Sequence, residues 1–351
     1  MGNLDRQSIA IDFSDVQRVD PPVGAEGTRT RVQPGDILIS ITAELGMVGL
    51  VPSDIGEAYI NQHVALARPI EELDPRYGAW FLASKHAQDQ FEERRRGAVK
   101  AGLGLDDIRS VRIPLPPLPE QRRIVARIEE LFSRLDAGVA ALRHAKAQLQ
   151  RYRQSVLAAA ASGRLIGKQD HVTGAPVGWV EKAFGEVVIN VSINDKKLPR
   201  KHYAETGKFP VVDQGREFIG GYSDDESRVV SEGMPLLIFG DHTRIFKFLD
   251  RRFVPGADGV KVLKPNGVDP KWLYYVSQAL DFPDKGYARH FAHLKKARLL
   301  VPPTAEQHQI VAEVEARTTA IDHLEAELDR QITRSNRLRQ STLASAFSGQ
   351  L

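Results

Sequence analysis

The chain is expected to be α+β, with two globular heads joined by two long antiparallel coiled-coil helices in a pseudo-twofold internal repeat. Three observations predict this. The first is a repeat: residues 116–165 align without a gap on residues 302–351, at an offset of 186. Pro116-Pro117 meets Pro302-Pro303, Glu120-Gln121 meets Glu306-Gln307, Arg153-Gln154-Ser155 meets Arg339-Gln340-Ser341, and Ser162-Gly163 meets Ser348-Gly349. A gapless match of this length makes the chain two copies of one unit. The second is periodicity within each repeat. The third is a weaker likeness, in the same order, between the segments that precede the two repeats.

Each repeat reads as one helix. Ile128, Leu135, Leu142, Leu149 and Val156 recur every seven residues, and Leu131, Ala145, Tyr152 and Ala159 fall three residues after members of that series. That spacing is an a/d seam sustained over four heptads. The second copy keeps Val314, Ile321, Leu324, Leu328, Leu338 and Leu343. A proline-rich approach and an acid in the first turn (Glu120) mark the start, and Gly163 and Gly349 mark the stops. A helix of about 45 residues is roughly 68 Å long. Its apolar stripe must be covered, and two related stripes in one chain most simply cover each other.

The first head, residues 1–113, carries strand signals at 38–40 and 64–67, a helical pattern over 76–87, and a charge run over 92–96; Gly102 and Gly104 interrupt it before the helix. The second head, residues 166–300, opens on Gly178-Trp179. Its strand signals are 187–189, 211–212, 236–239 and 260–263, followed by a short helix over 271–280. VQPGDILIS resembles VSEGMPLLIF, HVALARP resembles GVKVLKP, and DPRYGAWF resembles DPKWLYYV. Shared scaffolds with different loops suit two readers of two different sequences. Only 34 residues precede Gly35, whereas Trp179 precedes the matching Gly233 by 54, so the first head is expected to lack an opening of some 20 residues or more.

Composition narrows the function. Charged residues make up 26% and hydrophobic residues 42%, as in ordinary globular chains. The absence of cysteine excludes disulfides, zinc fingers and thiol catalysis and fits a cytoplasmic setting. No membrane-spanning run or signal-peptide pattern is present. The net charge of +3 permits nucleic-acid binding through local basic patches.

The motif PP-x-x-EQ-x-x-IV before a long helix, present twice, resembles the helical regions of the specificity subunit of type I restriction–modification enzymes. The stretches PVGWVEKAFGEVV, FPVVDQGREFIGGYSDD, LLIFGDHTR and YARHFAHLKKARLLVPP are similar to a target recognition domain of that family. The likeness covers nearly the whole chain. It implies a first recognition domain at 1–113, a central helix at 114–165, a second domain at 166–300 and a C-terminal helix at 301–351. By resemblance, the two domains read the halves of a bipartite double-stranded DNA site. The helices space them and dock methyltransferase subunits, expected to be two, through the seam at Ile128, Leu135, Leu142, Leu149, Val156, Val314, Ile321 and Leu328. Restriction subunits join that assembly. S-adenosylmethionine would sit on the methyltransferase subunit, ATP and Mg on the restriction subunit, and no cofactor or catalytic residue on this chain. A helix of that length matches about 20 base pairs, less the width of the heads. The short first head leaves a rival reading open: a truncated chain that reads one half-site or serves as a silent donor of recognition sequence.

Within the second head, Lys196, Lys197, Arg200, Lys201 and His202 form a basic cluster suited to phosphate. Gln214 and Arg216 follow one strand and have the donors that pair with adenine and guanine. His242, Thr243 and Arg244 follow another strand, and Lys247, Arg251 and Arg252 continue the basic stretch. Arg289, His290 and Lys295 suit a surface leading into the helix as well as they suit DNA. Arg29, Arg31, Glu44 and Lys100 are weaker candidates in the first head. Four resemblances to catalytic motifs fail. Asp20-Pro21-Pro22-Val23 lacks the aromatic residue of an aminomethyltransferase, and residues 163–168 have the wrong spacing for a phosphate loop. His290 and His293 lack a third metal ligand, and Asp195-Lys196-Lys197 lacks a nuclease's upstream acid.

Overall fold

The computed structural model describes residues 2–20, 24–95, 102–167, 176–231, 233–257, 259–281, 286 and 289–351. Pro21 to Val23, Arg96, Lys100 and Lys168 lie outside the described residues. The chain forms two compact units, Met1–Ala145 with Glu327–Leu351, and Lys146–Ala326. Both long helices contribute to both units.

The first unit holds α1 (Ala25–Thr30), β1 (Ile37–Ser40), β2 (Val48–Leu50), β3 (Val64–Ala67), α2 (Pro75–Ala83), α3 (Lys85–Arg94), α4 (Leu105–Arg109) and the start of α5 (Leu118–Ala161). Its antiparallel sheet has the order β2-β1-β3. β1 is apolar almost throughout because both its faces are covered. Ile37 and Ile39 enter a core with Tyr77, Trp80, Phe81, Ile128 and Phe132, whereas Leu38 packs with Val32, Met47 and Val51. The helix expected over 76–87 breaks in two at Ser84. That residue is extended, and its hydroxyl donates to Phe81 O at 2.6 Å.

The second unit holds β4 (Val180–Ala183), β5 (Val188–Val191), β6 (Phe209–Val212), β7 (Gly221–Ser223), β8 (Leu236–Gly240), β9 (Phe246–Leu249), β10 (Val254–Pro255), β11 (Val260–Pro265), α6 (Pro270–Ser277), α7 (Phe291–Leu294), β12 (Arg298–Val301) and the start of α8 (Thr304–Phe347). Three sheets have the orders β5-β11-β8-β9, β10-β6-β7 and β12-β4. The first contains β9-β8-β11, antiparallel throughout, which matches β2-β1-β3 of the first unit. The expected strands at 211–212, 236–239 and 260–263 are present, each slightly longer. The one at 187–189 starts at Val188, after the 3-10 turn Phe184–Glu186. Short strands such as β9, where Lys247 interrupts the apolar pattern, carry little signal of their own.

The PP-x-x-EQ motif is a lock between the long helices and the heads. Gln121 is fully buried; its Oε1 accepts Asp74 N–H at 2.8 Å, and its Nε2 donates to Glu72 O and Pro116 O, both at 2.8 Å. Gln307 repeats this, accepting Asp269 N–H at 2.6 Å and donating to Pro302 O at 2.8 Å. Each aspartate in turn caps its helix: Asp74 accepts from Arg76 N and Tyr77 N, and Asp269 accepts from Trp272 N. The recurrence of DPRY and DPKW follows from this pairing.

Within each unit the long helices pair antiparallel. In the first, Leu343 and Ala346 pack with Ile124, Ile128 and Phe132. In the second, Ile310, Val311 and Val314 pack with Val156, Leu157 and Ala160. Ile128, Val156, Val314 and Ile321 are buried, while Leu135, Leu142, Leu149 and Leu328 are half-buried. Three expected seam residues are not in the seam: Tyr152, Leu324 and Leu338 are 45%, 53% and 51% exposed. Their successors turn inward instead. Arg153 pairs with Asp322 at 2.5 Å and Glu325 at 3.2 Å; Arg339 pairs with Asp136, donates to Gln7 O and lies 4.2 Å over the Phe132 ring. Arg153 and Arg339 are repeat partners, as are Asp136 and Asp322. The heptad reading assigned these positions to the nearest apolar residue. The carboxylate partners and the aromatic face let a cation occupy the seam one residue later. The stops hold as expected, with Gly163 and Gly349 at φ of 76° and 77°.

Candidate nucleic-acid interface

Three chain segments meet at one end of the second unit. β6 runs into the loop 213–220 and returns as β7; β8 runs into the tight loop 241–245 and returns as β9. Gln214 ties the two loops together: its Oε1 accepts His242 N–H at 3.2 Å, and its main-chain carbonyl accepts the Thr243 hydroxyl at 2.6 Å. The contact is too close for side chains at Gly240 and Gly259. A Cβ there would lie 2.2 Å from Thr243 Oγ1 and 2.3 Å from Gln214 Oε1 respectively. Asp241, 3% exposed, fastens the third segment, accepting the amides of His290 at 2.8 Å and Phe291 at 2.7 Å. Lys261 Nζ stands 3.8 Å from the same carboxylate.

The basic turn Arg200–His202 joins this end. Leu198 bridges to Gly256 and Ala204 to Tyr222, and Tyr203 packs against Gly221, the first residue after the 213–220 loop. Arg200, Lys201, His202, Arg216 and Thr243 are exposed, and His242 and Arg244 are half-buried. Arg244 sits at the hairpin turn with φ 60°, a left-handed conformation that costs a non-glycine residue about 1 kcal/mol. The turn is closed by its own amide, which donates to Gly240 O at 2.8 Å. This end thus presents guanidinium, ammonium and imidazole groups on a framework cross-linked loop to loop. Cations of that kind fit phosphate, and fixed guanidinium and imidazole donors fit base edges.

Several sequence-selected residues take other roles. Lys247 is the clearest correction: at 3% exposure it cannot reach DNA. Its ammonium donates to Asp213 O at 2.7 Å and Glu217 O at 2.6 Å, clamping both ends of the first turn of the 213–220 loop. Burial pulls its pKa down, while the Asp213 and Glu217 carboxylates oppose that shift. Gln214 is occupied in holding the loops together. Lys196 donates to Val229 O at 2.6 Å, and Lys197 is half-buried beside it. Arg251 and Arg252 lie at the other end of β9; the first pairs with Asp250, and the second pairs with Glu226 and stacks 5.1 Å over Phe209, where β6 begins. The basic stretch from Arg244 to Arg252 is therefore divided by a strand into a hairpin residue, a buried clamp and two cations at the far end. Sequence reasoning passed over Asp241, whose signal was only its place after the apolar strand LLIFG.

In the first unit the corresponding hairpin, between β1 and β2, turns at Ala43 with φ 56° and carries Glu44 beside it. Thr42 Oγ1 lies 2.9 Å from His63 Nδ1. Arg29 and Arg31 are exposed. Asp36, buried beneath this sheet, accepts a two-pronged pair from Arg68 at 2.8 Å on each oxygen. Among the described residues no group of three His, Cys, Asp or Glu could hold a metal, and no helix is long and apolar enough to cross a membrane. His290 is buried with its Nδ1 2.9 Å from Asp241 O.

Residues 27–142 match the family model "Type I restriction modification DNA specificity domain". The chain is 24% identical to the type I restriction enzyme StySPI specificity subunit of Salmonella potsdam, over 92% of this chain and 76% of that one. Its fold matches a chain solved in work on complex assembly and conformational transition of the type I R-M system, with a TM-score of 0.75 and 22% identity over 100% of this chain and 90% of that one. It also matches the HsdS subunit from Thermoanaerobacter tengcongensis, with a TM-score of 0.54 and 21% identity over 100% of this chain and 89% of that one. Residues 27–142 thus match a type I restriction modification DNA specificity domain, and over its length the chain is similar in sequence and fold to specificity subunits of type I restriction–modification systems.

Proposed function

We propose that this chain reads a bipartite DNA target, one half through each unit, and presents its two repeats to two methyltransferase subunits, with restriction subunits joining the assembly. A specificity subunit supplies recognition and no chemistry. In this reading S-adenosylmethionine belongs to the methyltransferase subunit, and ATP and Mg to the restriction subunit. The observation that carries it is the cross-linked loop cluster of the second unit. Arg200, Lys201 and His202 flank the duplex backbone there. Arg216, His242 and Arg244 face base edges, held in place by Gln214, Asp241 and Lys247. The β1–β2 hairpin around Ala43 has the same place in the first unit.

Two copies of the PP-x-x-EQ lock favour two equivalent docking positions, because each repeat brings the same helix start to the same face of its head. The test is a genome-wide map of adenine methylation in cells carrying the cognate methyltransferase, with and without this chain. A new motif with two unlike halves is the expected result. A single half-site would assign recognition to the second unit alone, and the absence of any new motif would overturn the reading.

A further inference from the structure

The loop 213–220 has a feature that phosphate binding does not explain. Phe218 and Ile219 lie in its second half, 48% and 38% exposed. The loop beneath them is not slack. Gly215 N–H donates to Asp213 Oδ1 at 2.8 Å, Gly220 N–H donates to Val211 O at 2.8 Å, and Lys247 holds the carbonyls of Asp213 and Glu217. Gly220 lies so close to Asp213 that a Cβ there would be 2.8 Å from the carboxylate. With both stems tied down, the loop carries two apolar side chains that remain partly in solvent. Arg216 is exposed in the same loop, and the Arg200–His202 turn and Arg244 lie on the adjoining segments.

The occupant of such a surface must offer negative charge at the rim and apolar surface at the centre. Duplex DNA has that pattern, with phosphates outside and stacked bases within. We propose that Phe218, backed by Ile219, is the apolar recognition element of the second domain. It presses into the base stack of the second half-site while the surrounding cations hold the phosphates. Pyrimidine–purine steps open at the least cost, so the wedge would favour such a step, reading deformability where no hydrogen bond can. The inference rests on the DNA-reading role of the second unit.

The test uses the complex of this chain with its cognate methyltransferase subunits. Binding is measured by anisotropy on duplexes carrying the motif from the methylation map, across a potassium chloride series. A parallel set carries 2-aminopurine at each position of the second half-site outside the methylated adenine. Phe218→Ala should weaken cognate binding about thirtyfold, leave the log–log salt slope unchanged, and abolish a 2-aminopurine signal that Phe218→Leu retains in part. Unchanged affinity and signal in Phe218→Ala would overturn the inference. So would an equal loss on unrelated DNA with a shallower salt slope, which would mean that the loop had merely lost its phosphate contacts. Normal DNA binding with failed assembly would reassign Phe218 to a protein partner. If the unaltered complex shows no preference in the second half-site, the DNA-reading role itself fails, and the inference with it.

Discussion

The two units share a frame and differ at its working end. Each has an antiparallel three-strand core, a helix opened by an Asp-Pro cap, and a buried glutamine that closes the cap against a long helix. Each has a hairpin turning on a left-handed non-glycine residue, Ala43 in the first and Arg244 in the second. The Asp-Pro cap and the glutamine that closes it recur because their hydrogen bonds are buried, and a lost partner there cannot be replaced by water. The hairpin tip faces solvent and pays no such cost for changing its side chain. The contrast separates the residues that build the shared frame from those left to differ between the two units.

The largest expected effect is on the shared frame. Gln121→Leu leaves Asp74 N, Glu72 O and Pro116 O without their partner and should destabilise the first unit by about 3 kcal/mol, from roughly 1 kcal/mol per abandoned buried group. Gln307→Leu abandons two such groups and should cost about 2 kcal/mol in the second unit. Thermal unfolding of the two variants compares them directly; equal and negligible shifts would show that the lock is not structural.

The seam arginines come next. Arg339→Met loses the Asp136 pair, the Gln7 bond and the Phe132 stacking of a side chain only 10% exposed, and should cost about 2 kcal/mol. Arg153→Met loses two carboxylate partners at 27% exposure and should cost about 1 kcal/mol or less, because water screens that pair. Urea titrations that ranked the two the other way would show that the ring contact matters less than the paired charges.

A smaller effect in stability, but a sharp one in function, is expected at the hairpin tips. Arg244→Gly relieves a left-handed backbone and should stabilise the second unit by up to about 1 kcal/mol while relaxing base preference in one half-site only. The methylation map of that variant checks both parts of the comparison. Relaxation in both halves, or a uniform loss over all sequences, would assign Arg244 to phosphate.

The smallest effect distinguishes the units by pH. Where the first unit has Trp80, the second has Tyr275, whose pKa is pushed up to about 12 by burial and then by the nearby Glu315 carboxylate. The folded state holds this proton longer than the unfolded one, so the associated stability is complete below pH 10 and is lost as pH rises from 10 to about 12. Melting temperatures over that range should fall less steeply in Tyr275→Phe. An unchanged slope would place the alkaline sensitivity elsewhere, with the half-buried Tyr274 as the next group to replace.

Much of the frame was legible in the residues. The repeat, the helix stops at Gly163 and Gly349, the Asp-Pro helices and the central strands all declare themselves through local patterns that persist over many residues. The candidate site was legible as a region and misread in detail. Lys247 looks like its basic neighbours in sequence, yet strand alternation turns it into the interior, where two carbonyls receive it. Gln214 has the amide to read adenine, yet the neighbouring hairpin engages its side-chain oxygen, which accepts from His242 N–H. Tyr152, Leu324 and Leu338 have the apolar character of seam residues, but the helices turn Arg153, Glu325 and Arg339 inward instead.

The architecture of each copy is therefore written in its local residue patterns. A seven-residue apolar period admits only a long helix with a partner, and a gapless repeat admits only a repeated unit. What the tertiary structure alone decided is the assignment of polar side chains between surface and interior. A lysine, glutamine or arginine is buried only where carbonyls, carboxylates or an aromatic face replace its water, and those partners come from segments distant in the chain.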